Sequence, residues 1–229
     1  MSVLPGSALS KMGHELRSPL NGIIGLTRIM QMKHAAGSVD AAQQLRQLDM
    51  VQTSAQRLLA TIERLTDIAK IESGGLQPRW EPVDCGALVA EETHPGLVLD
   101  APDRPVVVTS DPKILKKLLH ELVDNAVKFT RSASGAVRVR VHPAADDGAA
   151  LISVEDDGPG VPDSERARIF EAFERGENAP DYSDGSGLGL YLAVRLAGLL
   201  GAQLDVHSGP GGGSSFTVSV PAVEPQGAG

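Results

Sequence analysis

The chain has 229 residues, a formal net charge of −8 and a pI of about 5.2. This acidic balance argues against a nucleic-acid-binding surface, which needs clustered Lys and Arg. A single cysteine, Cys85, excludes a disulfide within the chain, and no segment reaches the roughly 18–20 apolar residues of a membrane span. These features predict a soluble, cytoplasmic chain without membrane contact of its own. They leave open whether a longer natural protein is anchored in a membrane.

Residues 7–73 contain one proline, Pro19, and their apolar spacing predicts two helices with a turn at residues 34–40. The second helix carries an a/d repeat, which is typical of coiled coils and four-helix bundles. Because two helices alone bury little surface, we expect a homodimer that completes a four-helix bundle. The alternative is a single amphipathic helix that packs on the following domain. The repeat comprises Leu48, Val51, Ala55, Leu58, Ile62, Leu65 and Ala69.

His14 is the candidate reactive residue of the first helix, in the sequence GHELRSPLN at residues 13–21. At about 100° per residue, an apolar stripe runs along one side of this helix and His14 lies nearly opposite its centre. A neutral imidazole has a free lone pair near neutral pH, so His14 can accept a phosphoryl group. The adjacent Glu15 can hydrogen-bond the other ring nitrogen. Read alone, an exposed histidine is usually only solvated. The stripe comprises Leu9, Met12, Leu16, Leu20, Ile23, Thr27 and Met30, and Ser18, Asn21 and Gly25 fall on the side of His14.

Glycine and proline become frequent from residue 74 onward, and this change predicts a domain boundary, with domains at residues 1–75 and 76–229. Apolar spacing after the boundary predicts three helices and several mostly consecutive strands. This pattern indicates an α/β sandwich with helices on one face of a sheet. The predicted order is a short helix or strand at 84–92, a strand at 106–109, a helix at 112–129, strands at 136–142 and 149–155, a short helix at 163–173, a helix at 188–199, and strands at 203–208 and 214–220.

The sequence ELVDNAVKFT at residues 121–130 places three polar side chains on one face of the long helix. Glu121, Asn125 and Lys128 recur at steps of four and three. Oxygen ligands beside a cation suit a Mg²⁺–triphosphate. The alternative is an ordinary solvated helix face.

Two glycine-rich segments follow. In DDGPG at residues 156–160, Asp156 ends an apolar strand and can accept a hydrogen bond from an adenine amino group, while Gly158 and Gly160 let the backbone approach a ligand. The sequence GSGLGL at residues 185–190 opens a helix, whose N-terminal N–H groups favour phosphate. Each segment alone is also compatible with an ordinary turn.

Taken in order over residues 9–221, these segments resemble the motifs of sensor histidine kinases. The segment around His14 resembles the H box of the dimerisation and phosphotransfer domain. The later segments resemble the N, G1, F, G2 and G3 boxes of the GHKL ATP-binding domain, with IFEAF at residues 169–173 as the F box and GGGSSFT at residues 211–217 as the G3 box. The resemblance implies an all-α helical hairpin that forms a dimeric four-helix bundle, followed by a Bergerat-type α/β sandwich.

The resemblance also implies roles for individual residues, with ATP and Mg²⁺ as cofactors. His14 would be the phosphoacceptor and Glu15 its assisting base. Asn125, with Glu121, would bind Mg²⁺. The other nucleotide-binding residues would be Lys128 at phosphate, Asp156 at the adenine amino group, Gly158 and Gly160 along the nucleotide, Gly185, Gly187, Leu188 and Gly189 around the phosphates, and Ser215 near the adenine, with residues 175–184 as the ATP lid.

The implied function is autophosphorylation of His14 by ATP and relay of the phosphoryl group to an aspartate of a response-regulator receiver domain. The segment between Val83 and Val108 is shorter than the family usually has, which predicts a truncated first helix of the ATP domain and an irregular region at residues 91–105. Two other departures from the family pattern leave alternatives open. Glu121 stands where the family usually has asparagine, and related GHKL ATPases use a glutamate there to activate water. Ser18 stands where the family more often has Thr or Asn, at a position tied to phosphatase activity. The alternatives are a pseudokinase signalling scaffold and a GHKL-type ATPase.

Overall fold

The structure, a computed structural model, describes residues 6–38, 40–92, 94, 96–130, 137–144, 148–174, 176, 185–209 and 212–223. The chain divides into two compact units, Met1–Ala69 and Lys70–Gly229. No helix within the described residues combines the length and the apolar character that crossing a membrane requires.

The first unit is a pair of long helices, which confirms the predicted helical hairpin. Helix α1 spans Gly6–Ala35 and contains Pro19, and helix α2 spans Ala41–Glu72. Thr61 and Ile68 are buried in α2. Large apolar side chains remain exposed on both helices, so each helix presents apolar surface that the hairpin itself does not cover. These side chains are Leu20, Ile24, Ile29, Met32, Leu45, Leu48, Met50, Leu59 and Ile62.

The second unit is built on a five-stranded sheet of order β2-β4-β5-β7-β6. Strand β2 pairs parallel with β4, and the other neighbours pair antiparallel. Burial alternates along the central strands, so one face of the sheet packs against helices. The five strands are β2 (Leu97–Asp100), β4 (Val137–Pro143), β5 (Ala150–Asp156), β6 (Gln203–Gly209) and β7 (Gly212–Val220), and β1 (Glu81–Asp84) pairs antiparallel with β3 (Val107–Ser110) in a separate ribbon.

Helices α4 (Pro112–Phe129) and α5 (Gly189–Leu199) cover the inner face of this sheet. Helix α4 begins where the sequence predicts, because Asp111 caps it by accepting hydrogen bonds from the N–H groups of Lys113 and Ile114, and proline occupies the first turn. Among the described residues, the core between these helices and the sheet is mainly aliphatic, and Phe216 adds an aromatic ring. Its central residues are Leu115, Leu118, Leu119, Leu122, Ile152, Val154, Leu192, Leu196, Phe216 and Val218.

The last turn of α2 is attached to α5 within the second unit. The Tyr191 hydroxyl donates a hydrogen bond to Glu72 Oε1 at 3.2 Å, and an Arg195 guanidinium nitrogen lies 3.5 Å from the same oxygen. The Arg195 guanidinium also stacks on the Tyr191 ring, 5.0 Å from its centroid. These three side chains anchor the end of α2 on the helix that begins at the glycine-rich loop.

Two segments differ from the sequence prediction. The region of residues 91–105, expected to be irregular, contains β2, because pairing with β4 satisfies the backbone of this short edge strand. Helix α3 (Cys85–Ala90) has only six residues, in line with the shortened first helix expected there. The predicted helix at residues 163–173 is two 3₁₀ turns, Asp163–Glu165 and Arg168–Phe170, and Phe173 has φ 64°, which no α-helix can accommodate.

Candidate functional site

Helix α1 presents His14 to solvent, with 83% of its side chain exposed. Its Nδ1 atom lies 3.9 Å from Glu15 Oε1, within ion-pair range but longer than a hydrogen bond. Glu15 therefore stands beside the ring without the predicted hydrogen bond, and Nε2 faces away from this contact. Ser18 and Asn21 are also exposed, whereas Leu16 is half-buried, as the helical spacing predicts.

The three polar residues predicted to share a face of α4 differ in environment. Glu121 is only 5% exposed, Asn125 is half-buried and Lys128 is exposed. A Cβ at Gly189 would lie 2.9 Å from Glu121 Oε2, so this carboxylate points at the first residue of α5. Lys128 Nζ lies 4.0 Å from Asp124 Oδ2 on the same helix. A carboxylate and an amide one helical turn apart supply the hard oxygen donors that Mg²⁺ prefers, and this donor set fits the predicted metal site.

Asp156 lies at the end of β5 and is largely removed from water. Burial raises the pKa of its carboxyl to about 6, and the nearby Asp157 charge adds to this rise, although hydrogen bonds from the backbone N–H groups of Gly158 and Ser214 oppose it. The Gly158 bond to Asp156 Oδ1 measures 2.7 Å. These donors fix the orientation of the carboxylate, which can accept a hydrogen bond from a ligand amino group.

The backbone around Asp156 is packed so closely that glycine is required. A Cβ at Gly158 would lie 2.5 Å from Asp156 Oδ1 and 2.8 Å from the carbonyl oxygen of Phe129. The Gly213 N–H donates to the carbonyl of Gly158 at 2.8 Å, which connects this segment to the start of β7. Gly160 has φ 77°, a conformation that other residues rarely adopt. Both glycines predicted from the sequence therefore line the region of Asp156.

The loop of residues 185–189 leads into α5. Gly187 has φ 65°, and its carbonyl accepts a 2.9 Å hydrogen bond from the N–H of Phe173. Leu188 is completely buried, Gly189 is the first residue of α5, and Gly185 is exposed with free space around it. The N–H groups that begin α5 have no intrahelical acceptors, so this end of the helix suits an anion.

Ser214, within the G3 box, belongs to this site although no sequence pattern distinguishes it from Ser215. In the β5–β7 register, Ser214 pairs with Asp156 and Ser215 pairs with Glu155. Because neighbouring residues of a strand point to opposite faces, Ser214 shares the face of Asp156 and Ser215 lies on the other face. The structure thus brings Ser214, which is buried, next to Asp156 instead of the predicted Ser215. The strand register decides between two adjacent serines, and the sequence alone does not show it.

The F box packs against β7 next to this region. Ile169 and Phe173 are buried, and the Phe170 ring makes an edge-to-face contact with Phe216 of β7 at a centroid distance of 6.4 Å. The predicted ATP lid at residues 175–184 lies outside the described residues, apart from Gly176.

Two protein families match the chain. Residues 110–224 match the family described as Histidine kinase-, DNA gyrase B-, and HSP90-like ATPase. Residues 6–74 match the His Kinase A (phospho-acceptor) domain. Together the two matches contain every predicted site residue.

The chain is also similar to individual histidine kinases, in sequence and in structure. The chain is 33% identical over 225 residues to Sensor histidine kinase GacS of Pseudomonas protegens. The aligned region covers 93% of this chain and 24% of GacS. The chain therefore spans about a quarter of the length of this curated relative. The crystal structure of full-length ShkA in complex with AMPPNP matches with a TM-score of 0.65 and 29% identity, covering 99% of this chain and 48% of that one.

A further solved structure, histidine kinase ThkA in complex with response regulator protein TrrA, matches with a TM-score of 0.68 over 95% of this chain and 61% of that chain. At 19% identity this likeness shows the fold alone. The chain belongs to the histidine kinase-, DNA gyrase B- and HSP90-like ATPase family and, with its phospho-acceptor domain, has the make-up of a histidine kinase catalytic core.

Proposed function

We propose that this chain transfers the γ-phosphoryl group of ATP to His14 and then passes it to an aspartate of a response-regulator receiver domain. The observation that carries the proposal is the environment of Asp156: a half-buried carboxylate, oriented by two backbone N–H groups, at the edge of a segment where only glycine fits. This arrangement suits an adenine amino group. The exposed imidazole of His14 supplies the acceptor.

In this proposal the other predicted site residues of the second unit bind the phosphates and the metal. Glu121 and Asn125 would hold Mg²⁺, which neutralises phosphate charge when it is bound. Lys128 would contact a phosphate, and the backbone N–H groups of residues 185–189 would surround the others. A polar, preorganised environment of this kind lowers the barrier of phosphoryl transfer by positioning and charge neutralisation.

The acceptor step uses the ring nitrogen that faces away from Glu15. Nε2 of His14 would attack the γ-phosphorus through its lone pair, so that an N–P bond forms while the bond to the bridging oxygen of ADP breaks. Glu15, 3.9 Å from Nδ1, would move closer to accept the hydrogen bond of the Nδ1 proton and stabilise the charge that develops on the ring.

The hairpin is proposed to form a homodimer. Its support is the apolar surface left exposed on both helices, including Ile24 and Leu59, each more than half exposed. A second copy would cover this surface in a four-helix bundle. We further propose the domain boundary at residues 75 and 76, close to the division between the compact units, and a cytoplasmic location for the chain.

A response-regulator receiver domain is the proposed partner. The ThkA–TrrA complex shows that a protein of this fold binds such a regulator. The relative GacS is named a sensor histidine kinase. Phosphoryl relay from His14 would need the exposed side chain that α1 presents.

The test is incubation with γ-labelled ATP and Mg²⁺. We expect label on the chain that is lost in acid and retained in alkali, as for a phosphohistidine. His14→Ala should abolish the label, whereas His34→Ala, at the exposed end of the same helix, should retain it. Label that persists in His14→Ala would overturn the assignment of the acceptor.

A GHKL-type ATPase is the second candidate, and one observation favours it. Glu121 is a buried carboxylate directed at the start of α5, where a water-activating glutamate would stand. In this case phosphate would be released without label on the protein, and His14→Ala would not change the rate. Measuring both products in one reaction separates the two functions.

A further inference from the structure

Glu165 is a buried carboxylate outside the residues assigned to the nucleotide. Its side chain is 5% exposed, and Arg168 donates a 3.1 Å hydrogen bond to its Oε1 atom across a 3₁₀ turn. A buried charge needs a partner of this kind, because an unpaired one carries a large desolvation cost. An ion pair with a buried carboxylate and a 41% exposed guanidinium thus directly precedes the F box.

The same pair holds the chain segment that follows the F box. The Nε atom of Arg168 lies 3.8 Å from Glu174 Oε2. A Cβ at Gly176 would lie 2.9 Å from Glu165 Oε2, so the second oxygen of Glu165 abuts the backbone there. Glu165 and Arg168 therefore contact the segment at two points beyond the 3₁₀ turn itself.

This segment in turn packs directly on the glycine-rich loop that leads into α5. Phe173 and Gly187 both have left-handed backbones and are joined by the 2.9 Å hydrogen bond from Phe173 N–H to the Gly187 carbonyl. A Cβ at Gly187 would lie 2.8 Å from backbone atoms of Phe173 and Glu174. With no free space between the two segments, a shift of one moves the other.

We propose that Glu165 and Arg168 are positioning residues that fix the phosphate-binding geometry of residues 185–189 through the Phe173–Gly187 contact. The inference rests on the proposed function, in which this loop binds the phosphates of ATP. In this arrangement the two residues act through the backbone that they hold and not by contacting the nucleotide. The pair therefore affects the binding of the triphosphate end of the ligand. The adenine end is bound at Asp156, at the end of β5, and does not depend on the pair.

The test compares two probes, AMPPNP with Mg²⁺ and adenosine, by calorimetric titration of the whole chain. In Glu165→Gln we expect AMPPNP to bind about tenfold more weakly, as for the loss of a charge-assisted hydrogen bond, with adenosine affinity unchanged within about twofold. Arg168→Lys should give the same selective loss, because lysine keeps the charge but not the two-point contact. If Glu165→Gln does not fold, Arg168→Lys carries the test.

The matched control is the neighbouring pair of Asp163 and Arg166, which has the same i,i+3 spacing and a 2.7 Å contact but an Asp163 side chain that is 87% exposed. Asp163→Asn should change neither affinity. A parallel loss of both probes together with a lower Tm would show a merely structural role and overturn the inference, as would unchanged AMPPNP binding. If the wild-type chain binds neither probe, the proposed function itself fails.

Discussion

Asp156 and Ser214 lie opposite each other on β5 and β7, and the Ser214 backbone N–H donates a hydrogen bond to the Asp156 carboxylate. Ser214 is buried on the face of the sheet that carries Asp156, and Ser215 lies on the other face. Ser214→Ala keeps this N–H and removes only the hydroxyl, which lies on the face of Asp156 and can hydrogen-bond an adenine ligand there. We therefore expect Ser214→Ala to weaken adenosine binding by about threefold to tenfold, the effect of one neutral hydrogen bond. Ser215→Ala should bind adenosine like the wild type. Titration of both variants tests this, and the reverse order would contradict the strand-register argument.

The raised pKa of Asp156 predicts a stability that depends on pH. Its pKa is about 6 in the folded chain against an ordinary value of 3.8, so the folded state holds the proton more tightly. The stabilisation is complete below pH 3.8 and is lost as the pH rises through about 6. Asp156→Asn, which stays neutral, should therefore have a higher Tm than the wild type at pH 7.5, with a smaller difference at pH 4.5.

The control for this measurement is Asp103→Asn, an exposed carboxylate between β2 and β3 that does not contribute to the raised pKa of Asp156. It should leave the pH profile of Tm unchanged. A wild-type Tm equal to that of Asp156→Asn at pH 7.5 would show that the carboxylate is better solvated than the structure indicates.

The same pKa governs ligand binding in the opposite direction. Only the ionised carboxylate offers all its lone pairs to an adenine amino group, so adenosine affinity should fall as the pH decreases through about 6. Adenosine is the suitable probe, because phosphates of ATP titrate in the same range. The profile should be flat in Asp156→Asn, at an affinity at least about tenfold lower at pH 7.5. A flat wild-type profile would argue against contact between adenine and Asp156.

Gly187→Ala tests the close packing of the loop before α5. The added Cβ would lie 2.8 Å from the backbone of Phe173 and Glu174, and the backbone has φ 65°. We expect a loss of about 1–3 kcal/mol in the free energy of unfolding and weaker AMPPNP binding. Gly198→Ala, on the exposed side of α5 with free space around it, should instead be neutral or slightly stabilising. Denaturant titration and calorimetry measure the two effects, and equal behaviour of the variants would contradict the packing argument.

The exposed apolar side chains of the hairpin predict a dimer, and a charged side chain introduced among them should dissociate it. Ile24 on α1 is 55% exposed, and Ile24→Asp should place a carboxylate in the proposed dimer interface. We expect a monomer in light scattering after size-exclusion chromatography. Val223→Asp, at an exposed apolar position of the second unit, is the control and should stay dimeric. A wild-type monomer at micromolar concentration would contradict the proposed bundle.

The sequence predicts the elements with strong local signals. Helix α4 has the predicted limits because Asp111 and Pro112 mark its start, and Thr130 follows its last residue. At residues 163–173 the sequence predicts one helix where the structure has two 3₁₀ turns, because the left-handed backbone of Phe173 has no sequence signature.

Other features depend on contacts between distant segments. Strand β2 exists through its parallel pairing with β4, which no local pattern within its four residues specifies. The choice between Ser214 and Ser215 depends on the register of β5 and β7. The role inferred for Glu165 depends on its burial, which the surrounding polar sequence of residues 163–168 conceals.

Glu72 has a practical consequence for work on isolated fragments. This residue ends α2, yet Tyr191 and Arg195 of α5 hold its carboxylate. A fragment that starts at residue 76 would leave both side chains without their anion at the helix that starts with Gly189. Starting at Lys70 retains the carboxylate, so recombinant nucleotide-binding fragments should include this final helical turn.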